Sequence, residues 1–471
     1  MPTGPYDREI MVSSLRNDRG CVSAVSQYIP ECLLSLTLGL AIFAAPDIAS
    51  GQQRALPGPV LTLDQALDIA LQENRTLENA EMDVGKAADS VAAERTRRLP
   101  KLHLGVTESY NLTPQSYTFA AGVFGPVPSE DVKIDAHDGF TTIVSASVKQ
   151  PLSDLYRIGL TIDQLKINED IADQDLRSRR QAIIKDVKDA YYTILKTQNE
   201  LASTEASIVF YRDLDQLVDR YYAQQTVLKY ETMEVKSRLA RTEHVAVKEG
   251  NRLETQMEKL NKLLGRDVTT RYSVGSTGVD QLPVPSITEA EAAAIEQRPE
   301  VNARRLQLKH AEYGYRIKKS EYIPTIDLQY RYTRLYNTKF IPDEESVIGL
   351  TARWEFYDWG RKSQDLSKKT LAIRQARNEI DEAESQVIID VNHHMRQLDD
   401  ARDLVSVTRI TQEAAQEKLR VLMNQYRQQA VLLDDVLKAE RQLSLANTEH
   451  NNAQLSVWTA RSELQKAMGE E

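Results

Sequence analysis

Two hydrophobic periods run along this chain. After Pro324, the apolar residues Ile326, Leu328, Tyr330 and Tyr332 alternate with Asp327, Gln329 and Arg331. Before Asp358, Ile348, Leu350, Ala352, Trp354 and Phe356 alternate with Gly349, Thr351, Arg353 and Glu355. A period of two predicts strands with one apolar and one polar face. A softer pair precedes them: Leu102, Leu104 and Val106, then Val144, Ala146, Val148 and Leu152. The second period is a heptad. Val187, Ile194, Leu201 and Ile208 recur every seventh residue, with Ile183 and Ala190 on the paired positions. Such a narrow stripe on charged helices is a coiled-coil seam. Residues 160–249 and 361–468 contain neither Gly nor Pro. Both residues punctuate helices, so their absence predicts very long ones. From Arg157 to Tyr222 a helix would run roughly 100 Å.

The doubling extends to the letters. "LTLDQALDIALQENRTLENA" from Leu61 matches "SITEAEAAAIEQRPEVNA" from Ser286, with Leu63 on Ile287. The same offset carries Leu99-Pro100 onto Ile323-Pro324, and Leu102 and Leu104 onto Ile326 and Leu328. Further on the offset shortens, because the first copy has a longer loop between Val106 and Val144. It then carries Asp154 onto Asp358, Arg157 onto Arg361, Tyr222 onto Tyr426 and Gly265 onto Gly469. "QQTVLKYETMEVKSRL" from Gln224 and "QQAVLLDDVLKAERQL" from Gln428 fall in register. An internal repeat of this kind is the first thing a fold must explain. The expected fold is mainly α with a small β part, two tandem copies of helix, two strands and long helices. The first copy covers 52–282, with helices at 62–98 and 157–265 around a hairpin at 100–152. The second covers 283–471, with helices at 288–322 and 361–468 around a hairpin at 324–357.

Alternating strands with aromatic ends suit a membrane barrel, apolar outside and polar inside. The same alternation also fits a sheet half-buried on a soluble core. Topology favours the barrel, because nothing in the chain reads as a second layer to cover the sheet. Four strands cannot close alone, since barrels need about eight or more. Several chains would have to contribute, and the strand pattern does not choose between two copies and three.

Composition narrows the class. The chain has 471 residues, 27% of them charged, and a formal net charge of -10. An acidic chain without a basic stripe is a poor nucleic-acid binder. Gly (19) and Pro (16) are scarce, which agrees with long helices. The apolar run from Leu33 to Ala45 is too short to span a bilayer and suits an export signal. With "ASG" at Ala49 to Gly51 as the cleavage region, residues 1–51 are expected to be removed. Met11 is an alternative start, and a retained anchor is the alternative to cleavage. The two cysteines, Cys21 and Cys32, both precede the run, so the mature chain would hold no disulfide and no cysteine metal site.

These residues together resemble the TolC-like outer-membrane efflux protein family. The resemblance rests on the "LTLDQALDIALQENRTLENA" stretch, on "RRLPKLHLGV" with its echo "EYIPTIDLQY", on "QPLSDLYR" with "WEFYDWGR", and on the two "QQxVL" stretches. It covers about residues 60–469. It implies a homotrimer whose twelve strands form an outer-membrane barrel in contact with lipid, above a tapering periplasmic helical tunnel. It also implies service as the exit duct of a tripartite drug or metal efflux pump or of type I protein secretion. The partners would be a periplasmic adaptor (membrane fusion) protein and an inner-membrane transporter. The "QQxVL" stretches would then lie at the periplasmic tip, where one helix turns back into the next. In the family, acidic residues just after the second repeat's turn ring the entrance. Asp435 matches the first such position, while Lys438 replaces the second. Val431 stands where some members carry a basic residue that holds the tip closed. Tyr426 matches the aromatic position before the turn, and Glu231 is the first-repeat counterpart of Asp435.

Enzyme chemistry is not in evidence in the sequence, and no cofactor is implied. No nucleophile elbow, phosphate loop or paired-Gly motif is present. His393 and His394 are adjacent, so they point about 100° apart on a helix and cannot easily share a metal. The rival class is a soluble exported coiled-coil scaffold. It accounts for the heptads and the acidity but not for paired alternating hairpins.

Overall fold

The computed structural model describes residues 59–113, 116–135, 137–275, 285–338 and 342–470. The export segment expected over 1–51 lies outside the described residues. In chain order the elements are β1 (Val60–Leu61), α1 (Leu63–Glu73), α2 (Arg75–Thr96), β2 (Lys101–Tyr110), β3 (Ser116–Phe119), β4 (Val132–Asp135) and β5 (His137–Pro151). Then follow α3 (Asp154–Ala223), α4 (Lys229–Leu263), β6 (Ser273–Val274), α5 (Ile287–Gln297) and α6 (Pro299–Ser320). The chain ends with β7 (Thr325–Thr338), β8 (Glu344–Arg353), α7 (Arg361–Arg427) and α8 (Leu433–Met468).

The long helices are as continuous as their composition requires: α3 has 70 residues and α7 has 67. The helices α2, α4, α6 and α8 all pack on α3, and α5, α6 and α8 pack on α7. The heptad seam is the centre of this packing. Val187 and Ile194 are fully buried with Tyr191 against α1 and α4. In the second repeat Val391, Met395 and Leu398 take the corresponding places against α5 and α8. One buried layout is therefore built twice.

The shorter helices differ from expectation. Each of the stretches 62–98 and 288–322 is two helices, broken at Asn74 and at Arg298. Asn74 ends α1 and starts α2. Its side-chain oxygen accepts from the amides of Thr76 (2.8 Å) and Leu77 (3.2 Å). In the second repeat Pro299 opens α6, and a proline keeps the preceding residue out of the helical region. Both α1 and α5 begin with a capping box. Thr62 and Gln65 form the first, and Ser286 and Glu289 form its repeat.

Four helix ends share one closing geometry. The helices α3, α4, α7 and α8 end with a left-handed residue, namely Gln225, Gly265, Gln429 and Gly469. Each time that residue's amide, and the next one, turn back onto the last helical carbonyls. At α3, Gln225 donates to the Tyr222 carbonyl at 2.9 Å and Thr226 to Tyr221 at 3.0 Å. At α7, Gln429 donates to Tyr426 and Ala430 to Gln425, both at 2.9 Å. This is the Schellman closure, which normally uses glycine. At the two tip turns glutamine bears the left-handed strain, which explains why no glycine marks them in the sequence. We expect Gln429→Gly to stabilise the protein by about 1 kcal/mol relative to Gln429→Ala. Thermal unfolding of the two variants checks this, and a Gly variant no more stable than the Ala variant would refute it.

The strands β2, β5, β7 and β8 form one antiparallel sheet in that order. The register sorts its side chains cleanly. One face carries Leu102, Val148, Tyr330 and Ile348 in one row, and Leu104, Ala146, Tyr332 and Ser346 in the next. The other face carries Lys101, Lys149, Gln329 and Gly349, then His103, Ser147, Arg331 and Val347. Two details depart from the expected hairpins. The connection between β2 and β5 carries its own small hairpin, β3–β4. And β8 stops at Arg353, so Trp354 and Phe356 lie outside the strand. That segment is tied to the start of α7 instead. The Lys362 ammonium donates to the Glu355 carbonyl at 2.7 Å, and its amide donates to the Asp358 carboxylate at 2.8 Å.

Candidate functional site

Two regions are the candidates for function: the turn end of the long helices and the apolar face of the sheet. At the turn end α3, α4, α7 and α8 meet in one apolar cluster. Leu214, Val218, Val235 and Val436 are its fully buried members. Tyr426 is 4% exposed in this cluster, and its ring centroid lies 6.0 Å from that of Tyr221. Burial pushes its phenol up to about 12, helped by the nearby Glu231 carboxylate and Tyr221. The Tyr426 hydroxyl has no hydrogen-bond partner among the described residues. Tyr221 fastens the two turns together, its hydroxyl donating to the Arg427 carbonyl at 3.0 Å. Val431 is half-buried against the same cluster, an apolar contact at the turn.

The acidic residues sit where helix physics places them. Asp434 and Asp435 occupy the first turn of α8, next to its unpaired amides and positive dipole end. Glu231 does the same at α4, where its carboxylate accepts from the Leu228 amide at 3.4 Å. Lys438 reaches back along its own helix to Asp434, with Nζ to Oδ2 of 2.5 Å. The hydrogen bond to Asp434 and that charge raise the Lys438 ammonium above its ordinary value, with Asp435 contributing less. Asp435 has no ion-pair partner within bonding distance among the described residues, so its charge stays available. The structure thus gathers Tyr426, Val431, Glu231, Asp435 and Lys438 at one end. It adds Tyr221 and Asp434, which sequence matching passed over. For Asp434 the signal was present, since a spacing of i to i+4 is the preferred one for an acid before a lysine.

Among the described residues nothing covers the sheet's apolar face. Leu102 and Leu104 are each 77% exposed and Ile348 is 72% exposed. Below it Trp354, Phe356, Tyr357 and Trp359 are all exposed. At the other end stand Tyr110 and Phe140, with ring centroids 4.8 Å apart, beside Tyr336. The apolar band closes there with the Arg334–Glu344 ion pair (3.0 Å) and the Thr142–Glu108 hydrogen bond (2.9 Å). An exposed apolar band between two aromatic fringes is the outer face of a membrane barrel. No helix among the described residues is long and apolar enough to cross a membrane.

A lipid-facing antiparallel sheet standing on very long paired helices defines an outer-membrane protein with a helical extension into the periplasm. The chain belongs to the outer membrane efflux protein family, which matches residues 66–266 and 292–470. Solved structures agree on the fold. The CmeC outer membrane channel of Campylobacter jejuni superposes with a TM-score of 0.72 at 15% identity, covering 86% of this chain and 85% of that one. The outer membrane protein VceC of Vibrio cholerae gives 0.71 at 14% identity, covering 87% and 96%. The MtrE outer membrane channel of Neisseria gonorrhoeae, solved in an open state, gives 0.69 at 16%, covering 87% and 89%. Compared with curated protein sequences, the chain has no match. The protein is an outer membrane efflux protein of tandem-repeat, mainly helical fold.

Proposed function

We propose that three copies of this chain close into the exit duct of a tripartite efflux pump, with the turn end as its periplasmic entrance. The observation that carries the reading is the open sheet: among the described residues its edge strands β2 and β8 each have one unpaired side. Unpaired backbone groups cannot face lipid, so the sheet must close with other copies. The helices lead to the same requirement. Leu371, Ile389, Leu404, Val407 and Ile410 lie exposed along α7, an apolar stripe that a neighbouring copy would cover. With three copies the sheet becomes a twelve-stranded barrel. The family, and neighbours described as outer-membrane channels, support this assembly and its service to a periplasmic adaptor and an inner-membrane transporter.

At the entrance symmetry brings three Asp435 carboxylates together around the axis. A mouth lined by one sign of charge concentrates counter-ions. Asp435→Asn should weaken block by multivalent cations in single-channel recordings, while the protein remains a trimer by native mass. Lys438→Ala frees Asp434 and should strengthen block. If neither substitution alters block or conductance, the turn end is not the entrance.

A further inference from the structure

Where the sheet meets the helices, a cavity of about 380 Å³ opens on the polar face. That volume lies in the range of small-molecule sites. Its charged lining comes from both parts of the fold. The strands give Lys101, Lys149, Asp327 and Arg353, the end of α2 gives Glu94 and Arg97, and the start of α3 gives Asp154 and Arg157. Five cations therefore face three carboxylates.

The carboxylates are already committed. Asp327, buried in the sheet, holds the Lys149 ammonium at 2.7 Å. Asp154 holds Arg157 at 2.9 Å, and Glu94 holds Arg97 at 3.2 Å. Lys101 and Arg353 have no ion pair among the described residues. They stand on the two edge strands of the sheet, on its polar face, at opposite sides of the cavity. The Arg353 carbonyl accepts from the Thr325 hydroxyl at 3.3 Å, which holds its strand in place at this end. Two surplus cations separated by a cavity, with three further cations already screened, form a receptor for negative charge. The acidic turn end is the opposite case. Like-charged walls around a cavity focus their field inward and concentrate counter-ions there.

We propose that this junction cavity is an anion-binding station, taking small multivalent oxyanions such as polyphosphates or polycarboxylates. It rests on the duct reading only for the statement that the polar face of the sheet borders the lumen. On that reading the cavity recurs three times around the axis, a positive waist between the acidic entrance and the barrel. An anionic cargo that has passed the entrance would meet complementary charge here.

Calorimetric titration of the detergent-solubilised full-length protein with tripolyphosphate tests the proposal. Saturable binding is expected, one site per copy, weakening as salt is raised because exposed charges are screened. The double variant Lys101→Gln, Arg353→Gln should weaken it at least about tenfold, since charge-assisted hydrogen bonds are the strong ones. Glu94→Gln should tighten it by releasing Arg97, a gain that damage to folding would not produce. Arg402→Gln, on α7 and outside the cavity lining, should leave it unchanged. Absence of saturable binding overturns the proposal, as does binding indifferent to the double variant or weakened by Glu94→Gln. Conductance is measured separately. Binding with this pattern in a protein that forms no channel would sink the duct reading and leave the site standing. Channels without binding would do the reverse.

Discussion

Gly265→Ala should destabilise the protein severely, by about 2–5 kcal/mol. Gly265 closes α4 in the left-handed region, at φ +76°, where a side chain costs energy in any surroundings. The surroundings are also full. A Cβ placed there would lie 2.0 Å from the Glu73 carbonyl oxygen and 2.6 Å from its carbon. Those are backbone atoms at the end of α1, and they are held from both sides. Asn74, the next residue, donates from its side chain to the Leu263 carbonyl at 2.7 Å. The end of α4 is thereby seated against the break between α1 and α2, and a methyl group would push the two apart. Gly469 is the same residue in the second repeat, at φ +84° against the break between α5 and α6. There the nearest atoms, the Arg298 nitrogen and the Gln297 carbon, stand at 3.0 Å. Gly469→Ala should therefore cost less, about 1–2 kcal/mol. Thermal unfolding in detergent and protease resistance both report the difference. Equal losses in the two variants would show that the close approach at Glu73 does not constrain the fold.

Leu328→Arg should block stable insertion, costing about 2–4 kcal/mol if its row lies near the bilayer midplane. Leu328 pairs with Gln150 and Leu350 on the apolar face, in the row next to Tyr330 and Ile348. The whole band from Ile326 to Tyr332 spans about 20 Å along the strand. Thr333→Arg is the matching control on the polar face. Thr333 sits opposite Ser145 on one side and Glu345 on the other, so an arginine there gains a cross-strand acid. It should be tolerated within about 1 kcal/mol. The readouts are the fraction recovered in the outer membrane and the heat resistance of the oligomer. Equal behaviour of the two variants would mean that the sheet does not have one lipid face.

Much of this architecture is local in origin, and so it is written in the chain. A strand shows its faces through alternation, because successive side chains point to opposite sides. The rows Leu102, Leu104, Val106 and Ile326, Leu328, Tyr330 fall on one face of the sheet, as their spacing demands. The heptad works in the same way. Val187 and Ile194 are fully buried because a seven-residue period keeps them on one side of a long helix. The repeat was legible because two copies of one packing problem select similar residues, down to the core layer of Val187 and Val391.

What the sequence left open depends on which distant segments come together. Tyr222 and Tyr426 are equivalent by repeat, yet Tyr222 is 44% exposed and Tyr426 only 4%. The difference arises because α8 packs on both α3 and α7, whereas α4 packs on α3. No local pattern encodes that asymmetry. The pairing of Lys438 with Asp434 instead of Asp435 was decided by side-chain reach at the helix start, where both acids were within one turn. Gly265 read only as a repeated glycine until α4 met the end of α1. The junction cavity has no sequence signature at all. Its cations are contributed by β2, β5, β8, α2 and α3, residues scattered from Arg97 to Arg353, and only the closing of the sheet onto the helix ends makes them neighbours. Periodicity fixes which side of an element is apolar, because that is settled within one or two turns of backbone. Which elements then meet, and which charges go unpaired where they meet, is settled by tertiary contact alone.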